Sequence, residues 1–331
     1  MASLRQVRPG RQLYVRTKTT ATTATDNPPG YNLIFLHGTC GSSAQFDTVL
    51  EELRKNSITN EKLPCACYLY DAVGCGQSPV VHDWTAYETD EAVSDVASIL
   101  ENANVVDKSL PTILIGHSYA STVMIRFLKQ WNDNNCDDDD NHINHNERPN
   151  IVGCIFISPA LRTNLNPNND GGHVVFGLPV LVLECLQSVL TGLFLEAAYH
   201  PSTDPVILQH AREASNNNSM YVAKAYHTHH VWATPNECKD ALFQREGQKM
   251  GLSGIGSNER PTVPQVLVLH GKQDKVLPVE AGQQFADVCN ATTTVVVEEA
   301  SHNVMEEQPR AVSDAIAEFL LSLSSSLSQR Q

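Results

Sequence analysis

The feature that most constrains the fold is a set of short, almost wholly apolar runs that alternate with helix-like stretches. Such runs are typical of parallel strands buried on both faces of a sheet. The predicted strands are residues 32–36, 66–70, 112–115, 151–157, 265–269 and 293–297, after a first strand near residues 11–18. The predicted helices are residues 44–54, 88–101, 119–131, 279–289 and 308–323. This alternation predicts an α/β fold with a mostly parallel central sheet, flanking helices, and ligands at the carboxyl ends of the strands.

Two segments interrupt the alternation. Residues 132–150 contain four consecutive aspartates and several asparagines without apolar periodicity, which predicts an acidic flexible loop. Residues 161–260 are helical in pattern but stand between two predicted core strands, which indicates an inserted helical cap. The predicted organisation is a core formed by residues 1–160 and 261–323, a cap over residues 161–260, and a flexible tail over residues 324–331.

Charge and cysteine usage narrow the partners and the compartment. The chain has 23 basic and 37 acidic residues, a net charge of -14, which argues against nucleic acid as a partner. Nine cysteines without the paired spacing of a disulfide scaffold fit a reducing compartment. The first residues lack the apolar stretch of a secretory signal, although early arginines without acids leave an organelle transit segment open. We therefore predict a cytoplasmic protein.

One serine has the surroundings of a nucleophile. The run Gly116-His117-Ser118-Tyr119-Ala120 directly follows a predicted strand and opens a predicted helix, which is the context of a nucleophile elbow. Such a turn holds the serine in a strained conformation and needs small neighbours, a condition that Gly116 and Ala120 meet. Ser118 is the predicted nucleophile.

A serine hydroxyl needs a base and a carboxylate that orients the base. Asp274 lies in the loop after the strand at 265–269, and His302 lies in the loop after the last predicted strand. The order serine, acid, histidine, each past the carboxyl end of a strand, is one in which such residues occur in serine hydrolases. Glu298 and Glu299 are alternative acids, but both precede His302 too closely to reach behind its ring. Asp274 is therefore the predicted orienting acid and His302 the predicted base.

Acyl transfer also needs donors aimed at the developing oxyanion. The predicted donors are the amide of Tyr119, directly after the nucleophile, and the amide of Thr39, in the glycine-containing loop after an early strand. The neighbouring residues predicted to contact the substrate are His37, Gly38 and His117.

Histidine clusters elsewhere have a second interpretation as metal ligands. His142 and His145 lie beside the four aspartates, and the group His227, His229 and His230 lies in the predicted cap. The cap group has no cysteine or acid at ligand spacing, so we interpret it as surface or cap packing. No metal site and no cofactor is predicted.

These motifs together resemble the α/β-hydrolase superfamily, specifically the abhydrolase domain-containing serine hydrolases that have an AB-hydrolase type core and a helical cap. The resemblance covers residues 32–323. The matching runs are His37-Gly38-Thr39, Asp71-Ala72-Val73-Gly74-Cys75-Gly76-Gln77-Ser78, Gly116-His117-Ser118-Tyr119-Ala120, His270-Gly271-Lys272-Gln273-Asp274 and Ser301-His302-Asn303. The sequence departs from the commonest elbow at Ala120, where glycine is more usual.

The resemblance implies a cofactor-free hydrolase that forms and then hydrolyses an acyl-enzyme on a small-molecule or lipid ester. We expect residues 176–194 of the cap to line an apolar acyl pocket, and the cap to make peripheral contact with a membrane. A hydrolase of carbon-carbon bonds and a peptidase keep the same serine and stay open. A non-catalytic binding or scaffold protein is the alternative from another class, and it predicts a Ser118 that is inaccessible or too distant from His302.

Overall fold

A single eight-stranded sheet organises the molecule. The computed structural model describes residues 1–21, 28–102, 105–133, 149–162, 175–243 and 264–328. The strands are β1 (Ala2–Arg8), β2 (Arg11–Thr19), β3 (Tyr31–Leu36), β4 (Cys65–Asp71), β5 (Pro111–His117), β6 (Asn150–Ile157), β7 (Gln265–Gly271) and β8 (Thr293–Val297). Their spatial order is β1-β2-β4-β3-β5-β6-β7-β8. The predicted α/β architecture is confirmed.

The register of the parallel strands brings the carboxyl ends of several strands to one edge of the sheet. The strands from β4 to β8 in the spatial order pair in parallel, whereas β1, β2 and β4 pair antiparallel. Leu36 of β3 lies beside Gly116 of β5, and Gly271 of β7 lies beside Val297 of β8. The loops that follow these strands therefore leave the sheet at the same edge.

The strand β1 is absent from the sequence prediction. It forms a hairpin with β2 at the edge of the sheet, and Val7 is its one buried residue. Most of its side chains are polar or exposed, as is common in a strand at the edge of a sheet. A strand of this kind lacks the apolar run that identifies the buried strands.

Helices cover both faces of the sheet. They are α1 (Asp47–Lys55), α2 (Thr89–Glu101), α3 (Ala120–Asp133), α4 (Val180–Ala198), α5 (Pro205–Asn217), α6 (Met220–His229), α7 (Pro235–Leu242), α8 (Val279–Cys289), the single turn α9 (Val304–Glu307) and α10 (Pro309–Ser328). Side chains of β3 alternate between the two cores: Leu33 and Phe35 face α1 and α10, whereas Ile34 and Leu36 face α2, α3 and α8. Both faces are buried, as the apolar runs predict.

The helices α4 to α7, which we call the cap, stand between β6 and β7 in the chain. The helices α5 and α7 each begin at an N-cap residue that hydrogen-bonds the first turn. Asp204 accepts a hydrogen bond from the Val206 amide, and Thr234 forms a capping box with Glu237. Tyr226 of α6 donates a hydrogen bond of 2.9 Å to the Val73 carbonyl of the core. The cap is therefore anchored to the core by specific contacts.

Three predicted boundaries need correction. The helix α10 continues to Ser328, so residues 324–328 are helical and not an irregular tail; the hydroxyls of Ser325 and Ser328 bond to carbonyls one turn earlier. Residues 132 and 133 belong to α3, and Asn150 belongs to β6, so these ends of the predicted acidic loop are regular structure. Residues 134–148 of that loop, with His142 and His145, lie outside the described residues, as do residues 163–174 and 244–260 of the predicted cap.

Candidate active site

Ser118 occupies a sharp turn between β5 and α3. Its φ is 52°, in the left-handed region that a side chain rarely adopts, and its amide bonds to the Ile157 carbonyl at 2.8 Å. A Cβ at position 116 would lie 2.3 Å from the Met124 sulfur, which explains why a glycine stands there. The turn has the strained geometry that the sequence predicts for a nucleophile elbow.

Ser118, His302 and Asp274 form a continuous chain of hydrogen bonds. His302 Nε2 lies 3.0 Å from Ser118 Oγ, and His302 Nδ1 lies 2.8 Å from Asp274 Oδ2. Ser118 is 9% exposed, His302 4% and Asp274 6%, so the chain is almost wholly shielded from solvent. The structure thus brings together the three residues that were predicted from separate loops. Neither Glu298 nor Glu299 has a hydrogen bond to His302 among the described contacts.

The Asp274 carboxylate is held as an anion. Its Oδ1 accepts hydrogen bonds from the Val276 and Leu277 amides, both at 2.8 Å. Burial alone would raise the pKa of Asp274, but the neighbouring His302 and the hydrogen bonds outweigh burial and keep that pKa below its ordinary value. An acceptor of this kind favours the tautomer of His302 in which Nδ1 carries a proton and Nε2 faces the serine.

A second histidine, His270, supports the same carboxylate and was not predicted. Its Nε2 lies 2.8 Å from the Leu277 carbonyl and 3.3 Å from Asp274 Oδ2. The ring fits only because residue 282 of α8 is glycine, since a Cβ there would lie 2.2 Å from His270 Nδ1. Its position at the carboxyl end of β7 was the available signal in the sequence.

The main chain of His302 is held by three groups. Its carbonyl accepts from His117 Nε2 and from Ser158 Oγ, each at 3.0 Å, and its amide donates to the Ala198 carbonyl at the end of α4. Burial, together with the nearby His302, lowers the pKa of His117 to about 3, so His117 is neutral. His117 therefore positions His302 in this structure, instead of the substrate contact that we predicted.

The loop after β3 lies against the elbow. A Cβ on Gly38 would lie 2.9 Å from His117 Nδ1 and 3.1 Å from the Ser118 Cβ, so glycine permits this close approach. Among the described residues no acceptor is bonded to the Thr39 amide or the Tyr119 amide, the two predicted oxyanion donors. Cys40, next to Thr39, has a φ of 55°, which turns the backbone sharply there. Two amide donors thus remain available beside Ser118.

The two ring nitrogens of His37 both have hydrogen-bond partners in the main chain. Its Nδ1 donates to the Gly38 carbonyl at 2.7 Å, and its Nε2 accepts from the Ala72 amide at 2.9 Å. Burial lowers the pKa of His37, which is consistent with this neutral tautomer. Both ring nitrogens are engaged by main-chain atoms, so His37 ties the loop after β3 to the loop after β4. Contact of its ring with a substrate stays a prediction.

One cap histidine reaches Thr39 in the loop after β3, which we call the oxyanion loop because the predicted donor Thr39 lies in it. His230 Nε2 lies 2.6 Å from Thr39 Oγ1, and the His230 ring lies over Tyr119 with a centroid distance of 3.4 Å. His227 stacks on Phe176 at 3.9 Å and belongs to cap packing, as predicted. Sequence reasoning missed the contact of His230 with the site, because a histidine in a helical stretch carries no signal of its partner across the fold.

The cap closes over the site. A cavity of about 30 Å³ remains beside the oxyanion loop, room for little more than a water molecule. It is lined by Leu36, His37, Gly38, Thr39, Tyr70, Ala72, Ala92, Tyr119, Ala120, Val123 and Tyr226. The expectation that residues 176–194 line an acyl pocket is wrong for most of that stretch, because many of its large apolar side chains point to solvent.

The fold and the arrangement of these residues are those of a hydrolase family. Residues 33–315 match the model of the Alpha/beta hydrolase family, which is more than half of the chain. The chain therefore belongs to the alpha/beta hydrolase family, as the motifs indicated.

Two groups of curated proteins resemble the chain. Protein ABHD8 from Homo sapiens and from Bos taurus are 26% identical to it over 317 residues, or 95% of this chain. The chain spans 60% and 61% of the length of these two relatives. The 2-hydroxy-6-oxo-6-(2'-aminophenyl)hexa-2,4-dienoic acid hydrolase of Metapseudomonas resinovorans is 26% identical over 169 residues, 46% of this chain and 58% of that protein.

Solved structures share the fold at low sequence identity. An esterase from Thermogutta terrifontis matches with a TM-score of 0.68 and 14% identity, covering 98% of this chain and 99% of that one. A bromoperoxidase from Bacillus anthracis matches with a TM-score of 0.68 and 12% identity, covering 98% and 100%. Likeness at this identity extends to the architecture and leaves the substrate open.

Proposed function

We propose that this protein is a serine hydrolase that cleaves carboxylic esters through an acyl-enzyme. Ser118 is the nucleophile, His302 the general base and Asp274 the carboxylate that orients it, with the Thr39 and Tyr119 amides as the oxyanion hole. The observation that supports this most strongly is the buried chain of hydrogen bonds from Ser118 Oγ through His302 to Asp274.

In the proposed cycle His302 Nε2 takes the hydroxyl proton while Ser118 Oγ bonds to the carbonyl carbon of the ester. The carbonyl oxygen receives the electron pair and accepts hydrogen bonds from the two amides. When the tetrahedral intermediate collapses, the alcohol leaves with the proton from His302, and the acyl group stays on Ser118. Water then attacks the acyl-enzyme, gives a proton to His302, and releases the acid as Ser118 recovers its proton.

The alternative of a non-catalytic binding protein predicts a Ser118 that is remote from His302 or inaccessible. The 3.0 Å separation of the two side chains opposes the first condition. The second condition is close to being met in this conformation, since Ser118 is 9% exposed. The unbroken chain of hydrogen bonds from Ser118 to His302 and Asp274 weighs more heavily, because a binding protein has no need of it. An enzyme is thus the better supported class.

A fluorophosphonate probe tests the proposal without knowledge of the substrate, because it modifies serines that a working base activates. Purified protein and its Ser118→Ala variant are incubated with the probe and compared for covalent labelling. The proposal predicts labelling of the parent and none of Ser118→Ala.

Ser121→Ala is the matched control. The Ser121 hydroxyl lies one turn further along α3 and bonds to the Ser118 carbonyl at 2.7 Å, outside the proposed proton path. This variant should still be labelled. Failure of a well-folded parent to react would favour the non-catalytic alternative, and labelling of Ser118→Ala at the parent's rate would assign the activity to another residue.

A hydrolase of carbon-carbon bonds is a second candidate, favoured by the similarity to the 2-hydroxy-6-oxo-6-(2'-aminophenyl)hexa-2,4-dienoic acid hydrolase. That match covers less than half of this chain, so the ester hydrolase remains first. Turnover of a 2-hydroxy-6-oxo-dienoic acid, followed beside p-nitrophenyl esters, separates the two. A higher kcat/KM for the dienoic acid would overturn the ester assignment while leaving Ser118 as the nucleophile.

A further inference from the structure

The cap helix α4 presents an unusual surface. A stripe of its side chains that recurs every three to four residues, here called the outer face, is apolar and exposed. It consists of Leu178 just before the helix and Leu181, Val182, Leu186, Val189, Leu193 and Phe194 within it. Leu181 is 75% exposed, Leu193 61% and Val189 59%. Contiguous exposed apolar surface of this kind marks an interaction site more often than chance scatter.

Two ordinary explanations of an apolar helix do not apply. A core helix would be mostly buried, whereas only 17% of the most apolar stretch of α4 is buried. A signal sequence would stand near the beginning of the chain, whereas α4 begins at Val180. The helix has the length and composition to cross a membrane, but its contacts with α5, α6 and the His302 loop hold it along the surface of the fold. A lipid surface that touches one face of α4 is consistent both with the apolar composition of the helix and with its position along the surface of the fold.

The opposite face of α4 is attached to the candidate active site. Leu183 is fully buried in a cluster with Met220, against which Cys40 of the predicted oxyanion loop packs. The last turn of α4 bonds to the loop that carries His302, since the Ala198 carbonyl accepts from the His302 amide and the Ala197 carbonyl from Ser301 Oγ. Whatever covers the outer face therefore lies one helix diameter from the site.

We propose that the outer face of α4 docks on an electrically neutral lipid surface. The helix is about 28 Å long, so the stripe offers roughly 300 Å², well below the 800 Å² or so per partner that a stable dimer buries. It carries no lysine or arginine, and the chain has a net charge of -14, so an anionic bilayer repels it. As a consequence that rests on the proposed function, the ester substrate is a lipid taken from that surface.

Sedimentation with phosphatidylcholine vesicles tests the docking. The parent should bind these vesicles, and binding should weaken when anionic phosphatidylserine is mixed in. The variant Leu181→Glu/Val189→Glu/Leu193→Glu should lower the vesicle partition coefficient by about tenfold or more, because three charges then face the acyl chains. The matched control is Leu4→Glu/Val80→Glu/Val296→Glu, which places three charges at exposed apolar positions outside α4, on β1, after β4 and on β8. The control should bind like the parent.

Labelling of Ser118 by the soluble fluorophosphonate tests the proposed function independently of vesicle binding. The cap variant should be labelled like the parent, which shows an intact fold and site. A parent that does not sediment with the vesicles overturns the docking, even if it is labelled. Equal loss of binding in the cap variant and the control also overturns it. A parent that is dimeric in solution and becomes monomeric in the cap variant would assign the outer face to a second copy of the chain instead.

Discussion

The core side and the cap side of the candidate active site are held in different ways. On the core side, Ser118, Asp274 and His302 follow parallel strands of one sheet, and backbone pairing aligns the ends of those strands. On the cap side, single contacts such as the bond between His230 and Thr39 reach the site, and the outer face of α4 stays in solvent. The difference teaches that hydrogen-bonded strands position the proposed catalytic residues, whereas the cap reaches the site through a few side-chain and loop contacts.

The largest effect is expected on the core side, from Asp274→Asn. An amide can present a donor to His302 Nδ1 and favour the wrong tautomer, so turnover and probe labelling should fall roughly 10³ to 10⁴-fold. Rate measurements on the folded variant check this. The matched control Asp287→Asn, on the exposed face of α8, should leave the rate unchanged. A loss smaller than tenfold for Asp274→Asn would contradict the role of the carboxylate.

The junction between the two sides contains a buried acid whose ionisation opposes folding. Glu306 Oε2 accepts from the Tyr199 hydroxyl at 2.6 Å and from Gln45 Nε2 at 3.3 Å. Burial, reinforced by Glu307, outweighs these hydrogen bonds and raises the pKa of Glu306 from 4.5 to about 7. The folded state therefore binds the proton more tightly, and its stabilising effect is complete below pH 4.5 and lost as the pH rises through 7.

The variant Glu306→Gln removes this dependence. Relative to the parent it should gain up to about 3 kcal/mol in the free energy of unfolding between pH 4.5 and pH 8. Denaturant unfolding of both proteins across this range measures the gain. Glu298→Gln, at an exposed glutamate that pairs with Lys272, is the control and should run parallel to the parent. Parallel curves for Glu306→Gln and the parent would show that Glu306 titrates normally.

A pair of glycines, one on each side, sharpens the comparison. A Cβ at Gly282 would lie 2.2 Å from His270 Nδ1, so Gly282→Ala should cost about 2 kcal/mol and slow labelling by displacing His270 from Asp274. Gly192 of α4 has no atom within 4 Å of its Cβ position, so Gly192→Ala should gain about 0.5–1 kcal/mol. Thermal unfolding of the two variants decides this. Shifts of the same sign would break the contrast between packed core and open cap.

The smallest effect on turnover is expected from the cap histidine. Without the His230 side chain, Thr39 loses its 2.6 Å contact and the oxyanion loop gains freedom, so His230→Ala should lower kcat by about tenfold with little change in KM. The comparison variant His229→Ala removes a neighbouring ring that lies near Glu88 and does not reach Thr39. Equal effects of the two substitutions would mean that His230 acts through cap packing alone.

Much of the core could be predicted from the sequence, for a physical reason. Strands buried on both faces appear as uninterrupted apolar runs, and residues directly after such runs fall at the carboxyl edge of the sheet. Ser118, Asp274 and His302 could thus be brought together in advance. The edge strand β1 could not be found, because its side chains face solvent and carry no apolar pattern.

The features that could not be predicted depend on which way a side chain points and on contacts with residues from elsewhere in the fold. The apolar composition of α4 is visible in the sequence, but whether its side chains face the site or solvent is decided by how the helix packs. His37, His117 and His270 are ordinary histidines in sequence, and their roles arise from partners in the loops that follow β4, β8 and β7, respectively. Ser158, with a φ of 48° at the end of β6, likewise gains its role from the His302 carbonyl.

The central claim is that Ser118, His302 and Asp274 act as one unit, and a double-mutant cycle tests it most directly. The second-order rate of fluorophosphonate labelling is measured for the parent, His302→Ala, Asp274→Asn and the double variant. Because Asp274 acts only through His302, adding Asp274→Asn to His302→Ala should cost nothing further. Losses that multiply in the double variant would contradict the account, since they would mean that the carboxylate and the histidine act independently.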